Sequence, residues 1–428
     1  MVQGSMHAIL ATVGTDGDVL PFLGLGLELR RRGHRITLVA AGNYAELAAA
    51  HGIEFRELVS AKLMAELLGH PDFWHPIRTA RFTAKWGASL IEPQYRLIDA
   101  MVAEGSGDAV LIGNPAVFGA SITAETRGRP LCHLILQPWM IHSAMAPALM
   151  PLVSLPRWAP RFMHSLFYHA IDLAADFLFG PELNRVRRSA GLKPMRRILH
   201  HWLAPELVIG MFPEWYGPPQ KDWPKQVRLA GFPRFDGATD LAPPAGLPEF
   251  LKREKPTVVF TFGSGMMHAR ELFEVSARVC AAIGCQGIFL NRHFKPASLP
   301  AHMFLADFIP FREIFPRCAA VVHHGGIGTT AEALAAGTPQ LIMPLGFDQL
   351  DNGDRVRRFG VGLHTGPKHR LLTNAATARA SDVAEVAAAL QELLKPEMRE
   401  RCRVFAKRLA NENAIGTAAG WVEKLAER

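Results

Sequence analysis

The run from Val321 to Glu332 constrains the fold of this 428-residue chain more than any other stretch. Val321 and Val322 end an apolar strand, His323 to Gly328 form a glycine-rich turn, and Thr329 to Glu332 open a helix. A second apolar strand, Gln340 to Met343, follows after that helix, which makes a parallel βαβ unit. Glycine lets backbone N–H groups approach a ligand closely, and a helix N-terminus favours anions. Pro344 to Gln349 then puts a polar cluster, Asp348 and Gln349, at the second strand's carboxyl end. Two adjacent strand ends thus present a phosphate cradle beside partners for hydroxyl groups.

The same alternation opens the chain. His7 to Val13 reads as a core strand, Leu20 to Arg32 as a helix stopped by Gly33, and Arg35 to Val39 as the next strand. Asn43 to His51 continues as helix, and Ala109 to Gly113 and Leu131 to Gln137 are further strands. Between and after them, Pro71 to Glu104 and Leu152 to Leu203 are long helical insertions rich in Trp, Phe, His and Arg. Pro, Gly and charged residues cluster before Pro256, and a second series then begins. Its strands are Thr257 to Phe262, Gly287 to Leu290, Met303 to Phe308, Ala319 to His323 and Gln340 to Met343. Helices close the chain from Asp382 to Glu427. The expectation is an α/β protein of two Rossmann-like domains, 1–236 and 257–428, joined by a linker at 237–256. Its ligand belongs in the cleft between strand carboxyl ends.

A chain of this length is too long for one core. With 49% hydrophobic and 20% charged residues it is of the globular class. A net charge of +8 and a pI near 9.4 fit anionic small ligands or an anionic membrane surface. The basic residues are scattered and lack any zinc-finger or RNP-type pattern, which disfavours nucleic acid. Five cysteines without metal-ligand spacing read as free thiols of a reducing, cytoplasmic compartment. The stretch Leu131 to Leu155 is too interrupted for a spanning helix, and His7 already lies in a core strand rather than a signal segment. Peripheral membrane contact, through helical residues Phe162 to Phe179, is expected to be open to the chain.

Three loops carry the candidate chemistry. After the first strand, Gly14 to Asp18 puts a carboxylate at a strand's carboxyl end, facing the cleft, or else makes Asp18 a helix N-cap. Asp16 and Asp18 superficially match a metal-binding DxD, but no third oxygen ligand is evident and no metal is expected. After Thr261, the Gly263 to Gly265 turn offers N–H groups and the Ser264 hydroxyl. In the glycine-rich turn, His324 suits a diphosphate oxygen, and Glu332 either accepts from ribose hydroxyls or closes a capping box with Thr329. Neighbouring His323 and His324 point to opposite strand faces, which speaks against a shared metal. Phe308, ahead of Ile309, can stack on a nucleobase or pack in the core.

On these residues the chain resembles inverting glycosyltransferases of the GT-B fold, over essentially its full length. The donor signature of that family is matched from Phe308 to Gln349: the aromatic-x-Pro start, the His-x-Gly turn, Glu332, Gly337 to Pro339, and Asp348 with Gln349. The resemblance implies that Phe308 and Ile309 meet the base, and that His324, Ser264, Gly326, Gly328 and Thr329 meet the diphosphate. Glu332 would meet the ribose, Asp348 and Gln349 the sugar, with Gly14 and Gly17 completing the donor site. Phe311 stands where plant members have glutamine. The Gly14 to Pro21 pattern resembles the bacterial branch, in which the aspartate matched by Asp18 replaces a catalytic histidine. Met211 to Pro224 and Gly231 to Asp236 are similar to bacterial rhamnosyltransferases of glycolipid synthesis. That likeness implies a nucleotide-sugar co-substrate, dTDP-L-rhamnose, and a 3-hydroxyalkanoyloxyalkanoate acceptor. A UDP-glucose-dependent enzyme acting on flavonoid-like aglycones is the alternative, and a non-catalytic helper of a partner transferase a remoter one. Trp74, Trp86, Trp139 and Phe162 are the expected acceptor contacts.

Overall fold

The computed structural model describes residues 5–75, 77–105, 108–150, 153–235, 237, 242–368 and 379–427. Part of the expected linker, 238–241, lies outside them. Seven strands form the first sheet: β1 (His7–Ala11), β2 (Arg35–Ala41), β3 (Glu54–Val59), β4 (Ala109–Gly113), β5 (Leu131–Ile135), β6 (Leu207–Gly210) and β7 (Val227–Leu229). Their order is β3-β2-β1-β4-β5-β6-β7, all parallel. Six more form the second sheet: β8 (Thr257–Thr261), β9 (Gln286–Leu290), β10 (Met303–Ala306), β11 (Ala320–His323), β12 (Gln340–Ile342) and β13 (Gly362–His364). These run β10-β9-β8-β11-β12-β13, again all parallel.

Each sheet therefore reverses its winding once, between β1 and β4 and between β8 and β11. Such switch points open a crevice at the strand carboxyl ends, where ligands of open α/β sheets bind. The central strands were legible because both their faces are covered: β1, β4, β5, β8 and β9 are buried at every position. The edge strands were not. Strand β3 exposes polar residues of its Glu54–Val59 run, and β7 and β13 are only three residues long.

Three local expectations change. The first helix spans Asp16–Arg31, beginning ahead of Leu20, because Thr15 is its N-cap and Asp18, at the third helical position, closes the box. Asp18 is thus not itself the N-cap. The glycine-turn helix spans Ile327–Ala335 with Gly326 as N-cap, so Thr329 and Glu332 form no capping box. Instead the Thr330 hydroxyl donates to the Gly326 carbonyl at 3.0 Å.

The third change concerns the last helix, Ala414–Ala426, expected with the second domain. Ala418, Ala419, Val422 and Leu425 pack into the core of the first sheet, and Glu423 accepts from Arg32 at 2.8 Å and bonds His34 at 3.1 Å. An amphipathic stripe predicts that a helix is buried; which sheet it covers depends on where the chain turns.

Candidate functional site

The Asp18 carboxylate sits in the first turn of the helix that follows β1. Its Oδ2 accepts from the Thr15 backbone N–H at 2.9 Å and more weakly from the Thr15 hydroxyl at 3.4 Å. Gly14 makes this possible: with φ +141° it leaves space where a Cβ would lie 2.1 Å from Asp18 Oδ2. Burial pushes the Asp18 pKa up to about 6, against the two Thr15 hydrogen bonds that favour the charged form. A carboxylate in that range is poised to accept a proton near neutrality. Neighbouring Asp16 is held by the Tyr44 hydroxyl, which donates at 2.9 Å.

Across the cleft, the turns after β8 and β11 meet at His324. Its ring lies between Gly263 and Gly326; a Cβ on Gly326 would come within 2.5 Å of His324 Nε2. Burial lowers the His324 pKa to about 4, so its imidazole is neutral near pH 7 and offers an N–H dipole rather than a full charge. His323 points the other way, as strand alternation requires. Its Nδ1 accepts from the Gly325 N–H at 3.1 Å, which leaves Nε2 to donate to Gln340 at 2.9 Å. The glycine turn is thereby tied down while the first-turn N–H groups of Ile327–Ala335 stay outside the helix ladder. A Cβ on Gly328 or on Gly17 would meet nothing, so open space lies over both.

Asp348 precedes the helix Gln349–Arg358. It is 8% exposed, and burial first, with Asp18 among the charges acting on it, raises its pKa to about 7. The Asp18 charge of the first domain therefore reaches Asp348 of the second. Asn352 donates to Asp348 Oδ2 at 2.6 Å and to the Gly325 carbonyl at 2.9 Å, and receives the Tyr216 hydroxyl at 2.8 Å. Gln349 is folded back: its Oε1 accepts from the Leu345 and Gly346 N–H groups at 2.7 and 2.9 Å. Its amide nitrogen is the side-chain group left for a further partner.

Other expected residues land differently. The Ser264 hydroxyl accepts from the Asp16 N–H at 3.2 Å and so bridges the domains. Glu332 lies 3.9 Å from the Arg234 guanidinium. Phe308 is half-buried beside a cavity of about 230 Å³ walled by Pro243, Pro244, Ile309 and Ile314. The Ile309 side chain belongs to the core and can contribute only its backbone. Phe311 stacks on Phe315 at 4.5 Å. Trp74 meets Phe73 at 5.1 Å and Phe347 at 6.0 Å, an aromatic group next to Asp348. The indole N–H groups of Trp74, Trp86 and Trp139 are buried without a hydrogen-bond partner among the described residues. Phe162 is 70% exposed on the outer side of its helix, because its neighbours His164 and Tyr168 take the inward face.

Sequence reasoning missed Arg292, Tyr216 and Asn352. The Arg292 guanidinium lies 5.5 Å from the Phe308 ring centroid and 3.7 Å from Asp16, inside the cleft. It follows β9 without a glycine motif, and only strand order brings it beside the first domain. Among the described residues no group of three or more His, Cys, Asp or Glu is placed to hold a metal ion.

Two open parallel sheets with loops from both switch points facing each other define a protein of the GT-B class. Comparison with known proteins agrees. The glycosyltransferase family 28 N-terminal domain matches residues 8–146, and the C-terminal domain of erythromycin biosynthesis protein CIII-like proteins matches residues 273–414. The two halves of the chain thus each match a glycosyltransferase domain model, on a fold shared with GT-B structures. It is 28% identical over 96% of its length to a sterol 3-beta-glucosyltransferase of Arabidopsis thaliana, of which it spans 66%; a second such enzyme of that plant is 29% identical and spanned over 57%. It is 26% identical to the O-mycaminosyltylonolide 6-deoxyallosyltransferase of Streptomyces fradiae, covering 99% of this chain and 98% of that one. The crystal structure of the glycotransferase of kitacinnamycin superposes with a TM-score of 0.71 at 19% identity, covering 98% of this chain and 99% of the other. The glycosyltransferase VinC in complex with dTDP gives 0.66 at 18% identity, covering 99% and 100%.

Proposed function

We propose that the protein transfers a hexose from a nucleoside-diphosphate sugar to a hydroxyl of a hydrophobic acceptor, with inversion and without a metal. The observation that carries this is the pair of Asp18 and Asp348, brought from the two domains to one cleft beside a neutral His324 and a glycine turn. In this reading Asp18 takes the acceptor's hydroxyl proton as that oxygen bonds to the anomeric carbon. The bond from that carbon to the phosphate oxygen breaks, and its electron pair leaves with the nucleoside diphosphate. His324, the N–H groups of Gly326, Gly328 and Thr329, and the Arg292 cation receive that charge. Asp348, with a pKa near 7, either donates to or accepts from sugar hydroxyls. The base lies against Phe308 and the backbone at Ile309, and Trp74, Trp86 and Trp139 line the acceptor side. Domain bounds of 1–236 and 257–428 go with this proposal, the last helix returning to the first domain.

The sugar we favour is L-rhamnose from dTDP-L-rhamnose, and the acceptor a hydroxyalkanoate lipid. Phe347, Phe73 and Trp74 put apolar surface next to Asp348, which suits a deoxysugar methyl. A second reading, UDP-glucose with a sterol or aromatic aglycone, is favoured by the two plant relatives. Calorimetric titration with dTDP, UDP and their rhamnose and glucose conjugates separates them. Preference for the dTDP compounds supports the first and for the UDP compounds the second, while binding of neither removes the donor site and favours a helper role.

A further inference from the structure

The long helix Arg161–Ser189 carries Phe162, Leu166, Leu173 and Phe177 at spacings of four, seven and four residues, so all four share one face. That face is turned outward. Phe177 is 82% exposed and Trp158, just before the helix, 84%; Leu166 and Leu173 are more than half exposed. Aromatic side chains offer about 150–250 Å² each, so the three aromatics expose on the order of 400 Å² of apolar surface, with Leu166 and Leu173 lying between Phe162 and Phe177. A patch of that size matches the largest on a typical monomer, and such patches are often functional.

Charge says which partner. The helix's carboxylates nearest this face are engaged elsewhere: Asp172 is buried near Arg197 and His200, and Asp176 accepts the backbone N–H groups of Arg197 and Ile198 at 2.9 Å each. The helix Thr79–Ser89, packed alongside where a Cβ on Gly87 would lie 3.3 Å from the Phe179 ring, has no acidic residue. It adds exposed Arg81 and Lys85, while Arg161 adds a third cation at the long helix's start. An exposed apolar stripe on a helix whose neighbour adds cations and no acidic residue fits a helix lying in the headgroup zone of an anionic bilayer. A second copy docked on the same face would instead set these cations against their own kind.

We propose that this face docks the protein on an anionic lipid bilayer, with Trp158, Phe162, Leu166, Leu173 and Phe177 in the interfacial zone and Arg81, Lys85 and Arg161 at lipid phosphates. The contact lies close to the cleft: Arg157, adjacent to Trp158, pairs with Asp354 at 2.7 Å on the helix that begins at Gln349. The docking stands independently of the transferase reading.

The full-length protein is to be sedimented with vesicles of phosphatidylcholine alone and of phosphatidylcholine mixed with phosphatidylglycerol. Binding to the mixed vesicles should exceed binding to the neutral ones by about tenfold or more and fall with salt. The triple substitution Trp158→Ser, Leu166→Ser, Phe177→Ser should lower it by about tenfold or more, and Arg81→Glu with Lys85→Glu should abolish the preference for anionic lipid. Absence of wild-type binding, or undiminished binding of the triple variant, overturns the proposal. A wild-type dimer that the triple substitution turns into a monomer overturns it too, assigning the face to a second copy. Nucleoside diphosphate titration of the same variants reports their folding and tests the donor site separately.

Discussion

Replacing Asp18 with asparagine should make the protein more stable and nearly inactive, and the stability gain should depend on pH. Burial raises this carboxyl from an ordinary value of 3.8 to about 6, so its ionised form is disfavoured in the folded state. Each tenfold change in the proton equilibrium is worth 1.36 kcal/mol, which puts the cost at roughly 3 kcal/mol once both states are ionised. Below the unfolded value both states are protonated and the cost vanishes. It grows as pH rises from 3.8 towards about 6, where the unfolded chain is ionised and the folded one is not, and is constant above. Asparagine is neutral throughout, and its Oδ1 can still accept from the Thr15 N–H. Urea unfolding at about pH 8 should therefore show Asp18→Asn more stable by up to about 3 kcal/mol, with the gain fading towards about pH 4. In the same variant kcat should fall by about 10²–10⁴ while nucleoside diphosphate binding persists. Wild-type kcat/KM should rise with pH through about 6, the acidic limb that a base of this pKa imposes. No gain at the higher pH would refute the burial argument, and unchanged turnover would take the base role from Asp18.

Gly326→Ala would put a methyl 2.5 Å from His324 Nε2, displacing the imidazole; calorimetry should show nucleoside diphosphate affinity lowered by about 10–100-fold. Tyr216→Phe removes the hydroxyl that donates to Asn352 at 2.8 Å within a buried network, and urea unfolding should register a loss of about 1–2 kcal/mol. The same variant should lower kcat for lack of a fixed Asp348, whereas unchanged kcat would make Asn352 a purely structural partner. Ending the chain after Glu412 strips Ala418, Val422 and Leu425 from the first sheet's core, and a melting scan should show a clearly lower Tm even though no residue of β1–β7 is touched.

Much of the site was readable in the linear chain because its residues are local to single strand-turn-helix units. Asp18 follows β1 by a few residues, His324 follows β11, and Asp348 follows β12; strand periodicity places each at a carboxyl end whatever the rest of the chain does. Glycine at 14 and 326 was legible for the same reason, since close approach is a requirement of the turn itself. Arg292 was invisible because its importance comes from β9 lying beside β8, a fact of sheet order. Tyr216 was equally hidden: it is an apolar-looking residue in the first half whose hydroxyl is used by Asn352 in the second.

What the sequence by itself determined is the set of buried parallel strands, the two-domain α/β plan and the residue types at the strand ends, all consequences of short-range pattern. Tertiary structure alone decided which groups face each other and how strongly water is excluded from them. Desolvation moves Asp348 to about 7, with Asp18 adding to the shift, and desolvation moves His324 to about 4; neither effect exists until the chain has folded around these groups. Packing likewise sent the last helix back to the first sheet and turned Phe162 outward, because periodicity says that a face is apolar and only the assembled fold says what, if anything, covers it.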